Sequence, residues 1–204
     1  MKVNRIPFAF LLLAIFLGLT AFNTQDRIAA YESPERAVWQ KPDEVVAALK
    51  IREGSQIADL GSGSGYFTFR LADATGPSGK VYAVDVNSEM NEYVNGRAEK
   101  GGYQNVSTVL AATDDPRLPQ AGIDLIFSCD SYHHLENRTA YFKNVKQYLK
   151  PGARVAIIDF KKEAFHHYTE SHIIKQEMEA AGYKLEEEID TLPRQHFLMF
   201  SVEG

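Results

Sequence analysis

The chain has 204 residues, 45% of them hydrophobic and 24% charged, with a formal net charge of −5 at pH 7. These values are ordinary for a globular domain with one substantial core, and the acidic balance without a basic stripe predicts no nucleic-acid partner. The single cysteine, Cys129, excludes a disulfide framework and a cysteine-rich metal site.

Residues 1–30 are predicted to be a signal peptide or a membrane anchor. Lys2 and Arg5 precede an almost uniformly apolar run, residues 6–22, and Ala21 is a candidate cleavage point. A run of about 17 residues is at the short limit for a membrane span. Because the basic residues favour the cytoplasmic side, both alternatives predict that the following domain is exported or membrane-anchored, on the periplasmic side in a Gram-negative bacterium.

Residues 31–204 are predicted to form one α/β domain. After a polar lead-in, residues 24–40, strands and helices alternate, which predicts a mostly parallel sheet in a Rossmann-like three-layer sandwich. The last two strands, near Lys184–Thr191 and His196–Val202, are too close for a helical crossover and are predicted to form an antiparallel hairpin. The predicted strands lie at 56–60, 81–84, 105–110, 123–128, 155–160, 184–191 and 196–202.

Glycines recur at alternate positions directly after the first predicted strand. Gly61, Gly63 and Gly65 surround Ser62 in a turn that leads into a helix, whose first N–H groups are free to meet a ligand. The spacing departs from the dinucleotide-binding G-x-G-x-x-G pattern. Asp59, two residues before the first glycine, would repel a pyrophosphate and attract a ligand with an ammonium group.

Residues 59–65 resemble the first motif of the class I S-adenosylmethionine (SAM)-dependent methyltransferases, D-x-G-x-G-x-G. The resemblance extends from about Trp39 to the C-terminus and includes Asp124–Phe127 and Leu149–Ala153. It implies a seven-stranded sheet with a C-terminal antiparallel hairpin and SAM as the cofactor. It also implies that Asp59, Gly61, Ser62, Gly63 and Gly65 belong to the cofactor site.

Asp85 follows the second predicted strand, about 20 positions beyond Gly65, where an acid can accept both ribose hydroxyls. The alternative is that Asp85 caps the next helix, a role that Asn87 or Ser88 can also fill.

After the third strand, the resemblance implies an acid that meets the adenine amino group. Ala112 stands at the expected position, so Asp114 is the candidate substitute. The alternative is that Asp114 and Asp115 only cap the turn before Pro116.

The loop after the fourth strand, residues 129–135, is expected to line the active site because ligands bind at the carboxyl ends of the strands. Asp130 is assigned to the cofactor site. His133 and Tyr132 are catalytic candidates, as a general base that is needed only if the methyl acceptor carries a proton it must lose. Cys129 is interpreted as a small buried hydrophobe.

No metal site is predicted. His133 and His134 are adjacent, and neighbouring residues are not expected to project together; His134 is interpreted as packed against the sheet. His166, His167 or His172 would supply a third ligand only if the loop after Phe160 folds back.

The leading functional hypothesis is a SAM-dependent methyltransferase acting on a small molecule, since the segments that would cover the site, at 31–45, 130–137 and 161–171, are short. One alternative is a nicotinamide-dependent Rossmann oxidoreductase, which the glycine spacing and the hairpin disfavour. The other is a non-catalytic binding protein that keeps the cofactor fold. Membrane association through residues 6–22 remains a further expectation.

Overall fold

The computed structural model describes residues 24–119 and 121–202, which form one seven-stranded sheet with helices on both faces. The strands are β1 (Gln56–Leu60), β2 (Lys80–Asp85), β3 (Val106–Leu110), β4 (Ile123–Cys129), β5 (Leu149–Phe160), β6 (Tyr183–Glu188) and β7 (Gln195–Val202). The helices are α1 (residues 24–31), α2 (Pro34–Gln40), α3 (Pro42–Ala48), α4 (Thr68–Thr75), α5 (Ser88–Gly101), α6 (Arg138–Val145) and α7 (Ser171–Ala180).

The strand order is β3-β2-β1-β4-β5-β7-β6. The first five strands pair in parallel, and β7 runs antiparallel between β5 and β6. This arrangement confirms the predicted fold class, including the C-terminal hairpin.

Two apolar cores lie on opposite faces of the sheet. One packs α3, α4 and α5 against the sheet through residues such as Val45, Leu71 and Val94. The other packs α6 and α7 through residues such as Phe142 and Met178. Because α4 follows β1 on one face and α6 follows β4 on the other, a crevice opens between the carboxyl ends of these neighbouring strands.

The apolar spacing predicts that the helix before the fifth strand reaches Leu149 and that this strand begins at residue 155, and both bounds were wrong. The helix predicted to reach Leu149 ends at Val145, and a 3₁₀ turn over Lys146–Tyr148 joins it to β5. Leu149 is already paired with Ile123 in the sheet, so strand pairing replaces the last helical turn. The lead-in, residues 24–40, for which the sequence indicated only polarity, is helical in α1 and α2.

The predicted leader, residues 1–30, lies mostly outside the described residues, and its boundary stays a prediction. Its described part, residues 24–30, is helical and buries Ile28 against the domain. Within residues 24–119 and 121–202, no helix has the length and apolarity needed to cross a membrane. The apolar run at 6–22 is outside those ranges.

Candidate functional site

A cleft of about 810 Å³ lies at the carboxyl ends of β1, β2 and β4. Leu60, Asp85 and Cys129, the last residues of these strands, line its floor. Residues of α1 and α2 and of the loop after β5 line its other sides. The volume falls within the range of about 300–1,000 Å³ that is typical of small-molecule and cofactor sites.

The glycine turn brings backbone close to the cleft. Gly61 has φ = 72°, and a Cβ there would lie 2.3 Å from the Cβ of Ser131, so only glycine fits without rearrangement. Gly63, with φ = 52°, lines the cleft; a Cβ there would meet the ring of Tyr31 at 3.2 Å. Gly65 faces Phe69 and does not line the cleft, so its role is packing.

Ser62 also lines the cleft. Its hydroxyl oxygen is buried and has no hydrogen-bond partner among the described residues. A buried hydroxyl of this kind is costly unless a ligand or water satisfies it. This orphaned group is therefore an expected contact for a bound molecule.

Asp85 lies at the tip of β2, where its carboxylate accepts hydrogen bonds from the N–H groups of Gly63 and Asn87, both at 2.9 Å. Asn87 caps α5 by accepting from Glu89 and Met90. The cap of α5 is therefore Asn87 and not Asp85, which is one of the two caps that the sequence offered. Asp85 is partly buried, lines the cleft and retains lone pairs for ligand hydroxyls.

Asp59 is only 3% exposed and lines the bottom of the cleft. The hydroxyl of Thr68 donates a hydrogen bond to it at 2.6 Å. Burial raises the pKa of Asp59 to about 7; the charge of Asp85 adds to this rise, while Thr68 and Arg36 oppose it. A cationic ligand in the cleft would favour the carboxylate form.

Asp130 adopts a left-handed backbone conformation, φ = 56°, directly after β4 and lines the cleft. Arg36 of α2 donates to it at 3.3 Å, Gln40 donates at 3.2 Å, and Gln195 of β7 also donates to it. Burial raises the pKa of Asp130, although these three partners favour its carboxylate. These contacts hold α2 against the loop after β4, which also carries His133 and His134.

Asp114 is not brought to the cleft. It is exposed, and the cleft is lined instead by Ala111, Ala112 and Thr113. Asp115 accepts a hydrogen bond from the N–H of Arg117 at 2.7 Å, which is the turn-capping alternative. The geometry thus gives no support to Asp114 as the adenine-binding acid.

Tyr132 points away from the cleft into the core beside α6 and α7. It is fully buried, stacks on Phe142 and donates its hydroxyl hydrogen to Glu177 at 2.8 Å. Burial, reinforced by Glu177, raises its pKa far above the usual value. Tyr132 is therefore removed from the catalytic candidates.

His133 lines the cleft, and its Nδ1 lies 2.5 Å from Oδ1 of Asp159, a fully buried carboxyl in β5. In the tautomer with its proton on Nδ1, His133 donates to this carboxylate, and the lone pair is on Nε2, which faces the cleft and His134. Phe160 tilts against the same imidazole. His133 is thus oriented as a general base would be.

His134 is exposed and lines the cleft, so its predicted packing against the sheet was wrong. Its Nε2 lies 3.1 Å from Nε2 of His133, so these adjacent side chains do project together. The loop after β5 folds back and places His167 beside them. Partial burial, followed by the charges of His133 and His167, lowers the pKa of His134.

The segment 31–45 was expected to cover the site, but its helical form and the contribution of α1 were not predicted; the lining residues of this wall are Arg27, Ala30, Tyr31, Arg36 and Trp39. Pro34 at the start of α2 is a helix-start signal that could have located this element. The pairing of Asp159 with His133 was missed, because it joins residues 26 positions apart, one in the 3₁₀ turn after β4 and the other in β5.

Comparison with known proteins gives a consistent family. The model described as Methyltransferase domain matches residues 51–196, more than half of the chain. The chain is 35% identical over 112 residues to a protein-L-isoaspartate O-methyltransferase of Aeropyrum pernix, covering 53% of this chain and 40% of that protein. It is 28% identical over 128 residues to a 27-O-demethylrifamycin SV methyltransferase of Amycolatopsis mediterranei, covering 62% of this chain and 46% of that protein.

The chain therefore spans less than half the length of each of these two relatives. Among solved structures, a SAM dependent methyltransferase from Aquifex aeolicus superposes with a TM-score of 0.82 at 26% identity. That superposition covers 87% of this chain and 97% of the other chain.

Proposed function

The chain belongs to the class I SAM-dependent methyltransferase family, with SAM as its cofactor, and from this premise we propose that it methylates a small molecule bound beside His133. The observation that carries the proposal is the hydrogen bond from the N–H of Gly63 to Asp85, which joins the acid of β2 to the glycine turn in the cleft that Asp59 also lines. The acceptor would enter the same cleft from the side of α1, α2 and the loop after β5.

The residues present fit SAM. Asp85 offers acceptor lone pairs for ribose hydroxyls, the orphaned hydroxyl of Ser62 offers a polar contact, and Asp59 offers a buried negative charge to a cation. When bound, SAM supplies a methyl group on a positively charged sulfur, whose departure as a neutral thioether needs no metal. The acidic floor would oppose the pyrophosphate of a nicotinamide dinucleotide, which favours SAM over that alternative.

The chain's own contribution to the chemistry would be alignment and proton removal. Aligning a nucleophile with the methyl group supplies most of the acceleration in such a displacement. His133, held by Asp159, would accept a proton from a hydroxyl or other protonated nucleophile at Nε2. The acceptor proposed is therefore one that must lose a proton.

A small acceptor is favoured by how the cleft is covered. The ring of Tyr31 lies over Gly63, and Arg36 binds Asp130 while its guanidinium lies 4.2 Å from the ring centre of Tyr66. Trp39 and Phe165 add aromatic walls. These contacts support a planar, partly apolar small molecule over a folded protein surface, although one of the relatives is named for a protein substrate.

Export or membrane anchoring remains part of the proposal for the full chain. Its support is the basic start and the apolar run at 6–22. Cell fractionation with N-terminal sequencing tests it: a start at Phe22 means release, and an intact chain in the membrane fraction means anchoring. Intact protein in the soluble cytoplasmic fraction contradicts both.

The cofactor proposal is tested by calorimetric titration of the full chain with SAM and with NADH. We expect saturable binding of SAM and none of NADH; the reverse result would refute the proposed chemistry. Binding of SAM without any methyl transfer would support the non-catalytic alternative.

The acceptor is tested by incubating the protein and methyl-labelled SAM with low-molecular-mass and protein fractions of the native cell. We expect label in the low-molecular-mass fraction, and a loss of about 10²–10⁴-fold in rate for His133→Asn with SAM affinity retained. Label confined to the protein fraction would overturn the small-molecule assignment.

A further inference from the structure

Three histidines from two separate segments meet at the mouth of the cleft. His133 and His134 come from the 3₁₀ turn after β4, and His167 comes from the loop after β5. One ring nitrogen of each lies within 4.8 Å of the corresponding nitrogens of the other two. The nearest pair, Nε2 of His133 and Nε2 of His134, is 3.1 Å apart.

This spacing is close to that of a metal site. Two nitrogens bound to one tetrahedral zinc ion at about 2.0–2.1 Å lie about 3.3 Å apart. The His133–His134 pair is already near that distance. His167 is exposed and lies on the loop after β5, so a small movement of this loop would bring the third nitrogen in.

The carboxyl behind His133 supplies the support that metal-bound histidines usually have. Asp159 is fully buried in β5 and accepts from Nδ1 of His133 at 2.5 Å, so the lone pair of Nε2 faces His134. Its second oxygen, Oδ2, has no partner among the described residues. A carboxylate–histidine pair of this kind fixes the tautomer and raises ligand basicity.

We propose that His133, His134 and His167 bind one first-row divalent cation of the zinc class, with Asp159 positioning His133. Three imidazoles suit zinc and its neighbours in the series, whereas Mg²⁺ and Ca²⁺ prefer oxygen ligands. Three protein ligands leave a fourth position open, as in sites where the metal meets water or substrate. Because these histidines line the cleft, that position faces a bound oxygen or nitrogen ligand.

Metal binding and the general-base role use the same lone pair of His133 and therefore exclude each other. In the metal-loaded protein, an acceptor hydroxyl bound at the open position would have its pKa lowered by the ion and release its proton to solvent. This consequence rests on the proposed function, but the existence of the site does not.

The alternative to a metal site is a cluster of packed aromatic rings, since Phe160 lies against His133 and Phe165 lies against His167. Stacking requires no stoichiometric ion. Direct metal titration separates the two.

The test uses the full chain without a histidine tag, stripped with a chelator and dialysed, with neither SAM nor acceptor present. Co²⁺ is titrated and followed by its visible d–d absorption, and Zn²⁺ content after dialysis is measured by mass spectrometry. The variants are His134→Ala, His167→Ala and Asp159→Asn, with His172→Ala, an exposed histidine outside the cluster, as the matched control. Circular dichroism establishes that each variant is folded.

We expect one ion per chain in the wild-type protein and in His172→Ala. His134→Ala and His167→Ala should lose stoichiometric binding, and Asp159→Asn should bind about 10–100-fold more weakly. No stoichiometric ion in the wild-type chain, or equal binding by folded His134→Ala and His167→Ala, would overturn the proposal. Because SAM binding is measured separately, failure of the metal site is distinguishable from failure of the proposed function.

Discussion

Replacing Asp59 by asparagine tests the electrostatics of the cleft floor. The pKa of Asp59, about 7, lies above the ordinary value of 3.8, so the folded apoprotein binds the proton of this carboxyl more tightly than the unfolded chain does. The resulting stabilisation is complete below about pH 4 and is lost as the pH rises through 7. Between pH 6 and pH 8 the loss amounts to about 1.4 kcal/mol of unfolding free energy.

Asparagine carries no charge at either pH and can still accept the hydrogen bond from Thr68. The difference in unfolding free energy between the variant and the wild-type protein should therefore shift by about 1.4 kcal/mol in favour of the variant between pH 6 and pH 8. This corresponds to roughly 3–6 °C in relative Tm. Thermal unfolding of both apoproteins at pH 6, 7 and 8 measures this difference. Groups that titrate in both proteins, such as His134 and His196, contribute equally to both and cancel in the difference between them.

The same carboxyl should couple cofactor binding to pH. Since a cationic ligand favours the carboxylate, the Kd of the wild-type protein for SAM should be about tenfold higher at pH 6 than at pH 8. The Asp59→Asn variant should bind weakly at both. A pH-independent difference in Tm between the two proteins would refute the assigned pKa. A Kd for SAM with equal pH dependence in both would refute the coupling.

Three further substitutions have matched readouts. Asp85→Ala should weaken SAM binding by about 1.5–3 kcal/mol, roughly 10- to 150-fold by calorimetry, while Asp114→Ala leaves Kd unchanged; equal effects would remove Asp85 from the site. Gly61→Ala should lower the unfolding free energy, measured in urea, by about 1–3 kcal/mol more than Gly152→Ala does. Both glycines have positive φ, but of the two only Gly61 would place its new Cβ against another residue, Ser131, so equal losses would refute the steric argument. Tyr132→Phe should cost about 1.5–3 kcal/mol of stability with kcat unchanged, and a large fall in kcat at unchanged stability would restore its catalytic candidacy.

The parts of the site that the sequence predicted are those set by local rules. The last residue of β1, the glycine turn and Asp85 at the end of β2 follow from strand length, glycine spacing and the position of an acid. These features are short-range, so a pattern of a few residues suffices to locate them. The structure confirmed the predicted α/β fold, a mostly parallel seven-stranded sheet with a C-terminal antiparallel hairpin.

The parts that failed depend on contacts between distant residues. Whether Tyr132 or His133 faces the cleft is decided by the rotation of a single 3₁₀ turn, which packs Tyr132 against α6 and α7. The placement of His167 depends on the loop after β5, which folds back to bring it beside His133 and His134. Neither has a periodicity or capping signal in the sequence.

Asp114 failed for a different reason. Its assignment transferred a family role to a stretch that departs from the family pattern, and an acid near the expected position was taken as a substitute. In the structure the nearby carbonyls and Asp115 are occupied in a turn, with Asn144 donating to the carbonyl of Asp114 at 3.4 Å. Proximity in sequence did not bring its side chain to the cleft.

The wall built by α1 and α2 lies entirely outside residues 51–196, the part that the family model matches. One wall of the cleft is thus encoded outside the matched stretch, whereas the loop after β5, which lines the same side, lies inside it. A replacement for this wall has to keep the contact of Arg36 with Asp130 and those of Glu32 with Ser64 and Arg97. A graft of residues 24–50 from a relative should accordingly redirect what is methylated while leaving the donor unchanged.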